Sequence, residues 1–572
     1  MLSPTLGLLL SGALAGLVAA GTVEYDWDIT WVNAAPDGFM RPVIGVNNEW
    51  PCPEIRATKG DIIRVKINNK LETQTTGLHF HGINQISTNW MDGPSLVTQC
   101  PVPPGQSIVY EFLADEAGTY WWHSHDMGQY PDGLRGPMII DDPDDPYKDE
   151  YDEEYILTIS DWYHERSLVL GQRFLNPNNT IGAPPAPDGI LINDGQSADY
   201  PFEVGKNYRF RIINMGASAS AMIHFDSHDM NVIMNDAAYV QQEIAYQLRA
   251  TPAQRYDVII KGTECDNRNF GALVSLDRNR DYTTANPPVW PYNATAWLVM
   301  DSEGEKRPDV VDIWRPFDDS HFKPLEGDIL PPADKTLVFN FQTCRDKYGI
   351  NRHCVNGSPY VNPKVPTLYT AATTGDFNTN ETVYGAVHPF LVSYGDIVDI
   401  VVNNHDGGIH PFHLHGHHFQ VLSRVHTGGG DWPGPDHAGS YNPKPPRRDT
   451  VSVFPRSHAV LRFEATNPGV YLFHCHIEWH VEMGLTATII EAPNMLRDIE
   501  IPQDHINACK KAGVPYKGNA GGSVEDPLDT SNIRYEPPLE YTGQVTFSRY
   551  RYAQWIPAYV ERVRRSRVGR LL

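Results

Sequence analysis

No stretch after residue 20 holds 18 apolar residues in a row, so no transmembrane helix is expected. Positive charge is short. Lys and Arg number 46 against 70 Asp and Glu, a formal net charge of −24, which argues against nucleic acid as a partner and attracts cations. Cysteine is scarce and odd in number, seven in 572 residues; with one set aside, six remain for up to three disulfides. Helical periodicity is sparse. Lys and Arg are also missing from residues 2–20, LSPTLGLLLSGALAGLVAA. That stretch is apolar, ends in small residues and reads as a secretory signal cut near Ala20, with an N-terminal anchor as the alternative.

What is present favours strands and turns. Gly and Pro number 46 each and aromatics reach 11%. Segments such as Ile62-Ile63-Arg64-Val65-Lys66-Ile67-Asn68 and Tyr208-Arg209-Phe210-Arg211-Ile212-Ile213-Asn214 have strand period and length, and turn signals recur between them, which predicts β-sandwiches. Four sequons, at Asn178, Asn293, Asn356 and Asn380, fit secretion.

The chain repeats itself. Gly60-Asp61-Ile62 opens a segment ending in His79-Phe80-His81-Gly82, and Gly395-Asp396-Ile397 opens one ending in His413-Leu414-His415-Gly416. Ala117-Gly118-Thr119-Tyr120-Trp121-Trp122-His123-Ser124-His125 matches Pro468-Gly469-Val470-Tyr471-Leu472-Phe473-His474-Cys475-His476. The first and last thirds are versions of one unit. The middle third has the same kind of strand, from Gly205 to Phe210, but no His-x-His pair. Units are expected at 22–145, 150–300 and 335–500, with an Asp- and Pro-rich linker at about 302–335. A polar tail, 501–572, carries Cys509 and ends in the basic run Arg562–Arg567, read as solvated.

Ten histidines and one cysteine fall into four clusters: His79-x-His81, His123-x-His125, His410 with His413 and His415, and His474-Cys475-His476 with His480. One His-x-His is weak on its own, since a strand histidine is more often a packed or exposed residue. Four clusters paired by an internal repeat are not. Thiolate with imidazoles suits copper; zinc is the runner-up, but zinc sites do not need a His-Cys-His strand bridging two centres. On a strand, His474 and His476 point to one face and Cys475 to the other, so one short backbone can serve two metal sites.

These clusters resemble the four copper signatures of multicopper oxidases, the family of laccases, ascorbate oxidases and fungal ferroxidases, over roughly residues 25–490. The resemblance implies an all-β fold of three consecutive cupredoxin-like Greek-key β-sandwich domains, a monomer, and four copper ions: one type 1, one type 2 and two type 3. It implies type 1 ligands His410, Cys475 and His480; type 2 ligands His79 and His413; and type 3 ligands His81, His123, His125, His415, His474 and His476. Leu485, after Gly484, stands at the axial position of the blue site. It cannot coordinate, so the potential should be raised. The resemblance also implies four one-electron oxidations of a small reducing substrate coupled to reduction of O2 to water. Asp92 and Glu478 match its proton-relay acids; a turn aspartate and a solvated glutamate are the plainer readings. Cys100–Cys509 is a pairing implied by the family. Cys344 and Cys354 are close enough to close a small loop, which leaves Cys52 and Cys265.

The electron donor is the open question. Pro363–Leu368, Val401–Asp406 and Pro446–Thr450 resemble the fungal ferroxidase branch, in which acids beside the blue-site histidines bind Fe(II). Asp406 matches one such acid and Asp226 the other, there a glutamate; a solvated loop is the plain alternative for both. Arg352 stands where that branch has a tyrosine and would repel Fe(II), and no C-terminal membrane anchor is seen. An acid at Asp226 equally fits a laccase, accepting a phenol's proton. The sequence reading therefore puts a secreted, extracellular or cell-wall laccase-like oxidase of phenols and diphenols first. A ferroxidase comes second, and a copper-binding protein without turnover third.

Overall fold

A computed structural model describes residues 21–263, 268–277, 289–327 and 329–537. Alternation builds its sheets. In the strand Ile62–Asn69, Ile63, Val65 and Ile67 are buried while Arg64 is exposed. Each such buried aliphatic side chain contributes about 1.5–3 kcal/mol.

The first unit packs two four-stranded sheets. One runs in the order Arg41–Val46, Thr22–Ala34, Ile62–Asn69, Ser107–Leu113. The other runs Ile55–Thr58, Arg135–Asp141, then β2 (Gly118–Ser124) and β1 (Leu78–His81) at its edge, with His79 opposite His123. The middle unit has two larger sheets, one holding β3 (Arg255–Lys261). In the last unit a six-stranded sheet faces a five-stranded one. The latter includes β4 (His410–Leu414), between β5 (Thr450–Val453) and β6 (Gly469–Cys475). Here His413 lies opposite His474 and Phe412 opposite Cys475.

The repeat is therefore visible in space: β1 pairs with β2 as β4 pairs with β6. The middle unit shares the frame. In all three units the first long strand pairs in parallel with the strand that the Gly-x-x turn opens: Thr22–Ala34 with Ile62–Asn69, Glu153–Trp162 with Asn207–Asn214, and Lys335–Arg345 with Ile397–Asn404. Each unit has its own apolar core.

The stretch expected to be a linker is well anchored. Phe322 is buried in the middle core, and Asp318 and Asp319 meet Arg424 of the last unit at 2.5 Å each. The tail is packed as far as it is described. Helix Gln503–Ala512 buries Ala508 and Cys509, its Asp504 accepts from the Val109 amide at 2.8 Å, and Cys509 is bonded to Cys100. Cys344–Cys354 is also formed. Cys52 is buried and in no disulfide among the described residues. Cys265, the signal stretch and the basic run lie outside them.

Candidate metal centre

Two groups of side chains meet at β6. On one face, Cys475 Sγ lies 3.6 Å from Nδ1 of His410 and 3.6 Å from Nδ1 of His480, and those two nitrogens are 3.1 Å apart. His410 comes from β4; His480 comes from the short helix Glu478–Glu482 that follows β6. Burial pushes the Cys475 thiol well up, so a thiolate there needs a cation beside it. Leu485 is fully buried, and its carbonyl accepts from the Cys475 amide at 3.1 Å. The turn before it needs Gly484, whose φ is +98° and where a Cβ would stand 3.0 Å from the Tyr360 amide.

On the other face, eight histidines converge, four from the first unit and four from the last: His79, His81, His123, His125, His413, His415, His474 and His476. All are buried. In six of them one ring nitrogen is held from behind. His79 Nδ1 donates to the Asp92 carbonyl at 2.8 Å, His123 Nδ1 to the Ser124 carbonyl at 3.0 Å and His413 Nδ1 to the Asp449 carbonyl at 2.9 Å. His474 Nδ1 donates to the Cys475 carbonyl at 2.9 Å, His415 Nδ1 to the Asp92 carboxylate at 2.9 Å and His81 Nε2 to the Asp449 carboxylate at 3.2 Å.

The opposite nitrogens of His79, His81, His123 and His413 are buried without a hydrogen-bond partner, as are both nitrogens of His476. Nε2 of His415 and Nε2 of His474 face each other at 3.1 Å. A buried polar atom left unpaired costs about 1–3 kcal/mol, and so many converging on one point fit metal ligation. Ligand atoms of His125, His415 and His474 lie within 4.8 Å of one another, as do those of His79, His81 and His123. Burial, then the charges of neighbouring imidazoles, lowers His81, His123, His125, His415 and His476 well below the ordinary range, and His474 to about 3. The rings are thus neutral, the form that binds a metal. Neutral imidazoles with one thiol are a donor set for copper.

The acids divide. Asp92 is fully buried and touches both His415 and His79. Glu478 is buried rather than solvated, and burial together with Glu482 raises its carboxyl well above the ordinary range. Asp406 Oδ2 lies 3.1 Å from Nε2 of His410, with 32% of its side chain exposed. Burial pushes Asp406 up, but the hydrogen bond and charge of His410 outweigh it and hold the carboxyl well below its usual range.

Asp226 is not brought to the centre. It follows the strand Ser220–Phe225 of the middle unit at 0% exposure, where its carboxylate accepts from the amides of Gly271 at 3.1 Å and Asp309 at 2.8 Å. Arg352 does not present a bare charge to a cation, since its guanidinium bonds Asp346 at 3.0 Å.

Three residues were not singled out in the sequence. His353 is buried edge-on to both His410 and His480, with ring centroids 5.5 and 4.8 Å away. A lone histidine beside a disulfide cysteine gives little signal. Asp449, in Pro446–Thr450, holds His81 and His413, and Arg255 of β3 holds Asp449. Burial pushes Asp449 up, but Arg255 and His81 keep its carboxyl well below its usual range.

Residues 28–145, 153–302 and 360–495 each match a multicopper oxidase family profile. The chain is 45% identical over 528 residues to the iron transport multicopper oxidase fetC of Epichloe festucae, covering 91% of this chain and 85% of that one. It is 41% identical over 553 residues to the iron transport multicopper oxidase FET3 of Candida albicans, with coverage of 94% and 88%. Among solved structures it resembles Fet3p, described as a multicopper oxidase that functions in iron import, with a TM-score of 0.84 at 34% identity over 90% of this chain and 99% of that one. A laccase of Botrytis aclada superposes with a TM-score of 0.74 at 26% identity, over 86% and 92%. Matches of this extent across all three sandwiches leave one assignment: the chain belongs to the multicopper oxidase family, as a copper oxidoreductase of three cupredoxin-like domains with O2 as its electron acceptor.

Proposed function

We propose that the chain is a ferroxidase, oxidising four Fe(II) to Fe(III) for each O2 reduced to two waters. The observation that carries the donor is the Asp406 carboxylate. It is partly exposed at the surface and bonded at 3.1 Å to the outer nitrogen of His410. Carboxylate oxygens are hard ligands suited to iron arriving from water, and the contact joins such a site directly to a blue-site imidazole. The iron-transport names of the relatives support the same donor. The ferroxidase reading goes ahead of the phenol-oxidase one because relatives that match along most of this chain are named for iron transport.

Type 1 copper would be held by His410, Cys475 and His480; type 2 by His79 and His413; and the type 3 pair by His81, His123, His125, His415, His474 and His476. Bound there, copper supplies one-electron transfer from the donor and the reduction of O2. The chain's own residues do the rest. Cys475 and its two neighbours form a covalent bridge only a few bonds long between the two groups of ligands. Burial of all eight histidines keeps bulk water off the O2 side. Asp92, bonded to His415, is placed to pass protons, and Glu478, whose affinity for a proton is raised by burial and by Glu482, is placed to hold one. Secretion is supported by the exposure of Asn178, Asn293, Asn356 and Asn380, all four sequon positions.

Oxygen uptake by the copper-loaded protein, with Fe(II) and then a diphenol, tests the reading. Expected is a much lower KM for Fe(II), which Asp406→Ala raises about tenfold or more, as loss of a charged contact does, with diphenol kinetics unchanged. Equal or better use of diphenols, with Fe(II) kinetics indifferent to the substitution, restores the laccase reading.

A further inference from the structure

The middle domain has no His-x-His pair, yet one of its side chains reaches the eight-histidine centre. Arg255 opens β3 and is fully buried. Four hydrogen bonds hold its guanidinium. Nη1 and Nη2 donate to the two carboxylate oxygens of Asp449 at 2.8 and 2.6 Å, Nη1 also to the Ala253 carbonyl at 3.1 Å, and Nε to the Thr119 carbonyl of β2 at 2.9 Å. Asp449 in turn holds Nε2 of His81 with its carboxylate and Nδ1 of His413 with its carbonyl.

One guanidinium from the domain without ligands is thus bonded to the β-strand that carries His123. Through one aspartate it also fixes the outer nitrogens of a first-domain and a third-domain histidine. The inner nitrogens of those two rings are among the atoms left without a partner. Gly82, directly after His81, is what lets the clamp close. Its φ is +94°, and a Cβ there would stand 2.9 Å from Arg255 Nη2 and 3.0 Å from an Asp449 carboxylate oxygen.

We propose that Arg255 is the positioning residue of the O2-side copper cluster, setting the ring orientation of His81 and His413 across the interface between domains through Asp449. Partners that orient a ligating histidine are worth 10–100-fold in metal affinity or activity. A planar fork fits this place, whereas a lysine ammonium is a point charge that cannot bond both oxygens and the Thr119 carbonyl in one plane. Arg255 touches no ligand itself, and Cys475, His410 and His480 have no bond to it or to Asp449, so the blue site should not feel its loss.

The inference rests on the reading of the eight histidines as copper ligands. It is tested on the copper-loaded full chain by comparing wild type with Arg255→Lys, Asp449→Asn and Arg209→Lys. The last is an equally buried arginine of the same domain that pairs with Asp145 and Asp257. Copper per chain, the blue absorption band, the type 2 electron paramagnetic resonance signal and the rate of copper loss to a chelator are recorded.

Expected in Arg255→Lys and Asp449→Asn is an altered or missing type 2 signal and about tenfold or faster loss of the O2-side copper, with the blue band at full strength, while Arg209→Lys keeps both signals. An Arg255→Lys or Asp449→Asn protein with the wild-type type 2 signal and chelator resistance overturns the proposal. So does an Arg255→Lys protein that loses the blue band and the type 2 signal together, since that marks a merely structural residue. A wild-type protein without any type 2 signal overturns the ligand reading itself.

Discussion

At the scale of residues, six of the eight clustered histidines have one nitrogen tied to a carbonyl or carboxylate, and in four of those six the opposite nitrogen has no hydrogen-bond partner, which fixes both tautomer and aim. Beside Cys475, Leu485 is buried and offers only methyl groups, so it would add no donor to a copper held by His410, Cys475 and His480. Leu485→Met would place a thioether there and should lower the type 1 potential relative to wild type, read by redox titration of the blue band; an unchanged or higher potential would show that Leu485 does not occupy the axial place. The convergence of the histidine clusters was legible in the sequence because His-x-His and His-Cys-His are local patterns that the repeat duplicates. The burial of Asp226 was not legible, because an acid between two histidines looks the same in sequence whether the fold encloses it or exposes it. Arg255, Asp449 and His353 take their meaning from chain segments that meet only in the folded protein.

At the scale of elements, β6 does the joining: it and the residue after it send Cys475 to one group and His474 and His476 to the other, while β4 beside it supplies His410 to the first and His413 to the second. The sandwich strands were legible from period-2 runs and turn residues. The short helices were not. Glu478–Glu482 and Thr367–Thr373 are too short to stand alone and rest on the cores that bury Trp479 and Leu368 rather than on an amphipathic pattern of their own. Helix Gln503–Ala512 lies in what reads as a polar tail, and is held by Cys100–Cys509 and by Asp504 on the edge strand Ser107–Leu113. Replacing both cysteines by serine should cost about 2–5 kcal/mol. It should appear as a lower Tm and early proteolysis in the segment after residue 497, with the blue and type 2 signals retained. A proteolysis pattern like that of wild type would mean that the helix is held without the disulfide.

At the scale of the whole molecule, three copies of one sandwich have diverged into two that share a histidine cluster and one that carries none. The interfaces carry the function: first and last domains meet at the eight histidines, and the middle domain and the strap through Asp318 and Asp319 brace that meeting. The repeat announced the shared cluster, but the bracing ion pairs join residues more than a hundred positions apart that no sequence period connects. The claim that a surface site for Fe(II), a blue centre and an O2 centre act as one circuit is tested most directly by anaerobic titration of the copper-loaded protein with Fe(II). Expected is bleaching of the blue band with four Fe(II) oxidised per chain, and full return of the colour on admitting air. Bleaching that stops at one Fe(II) per chain, or colour that does not return with O2, would contradict it.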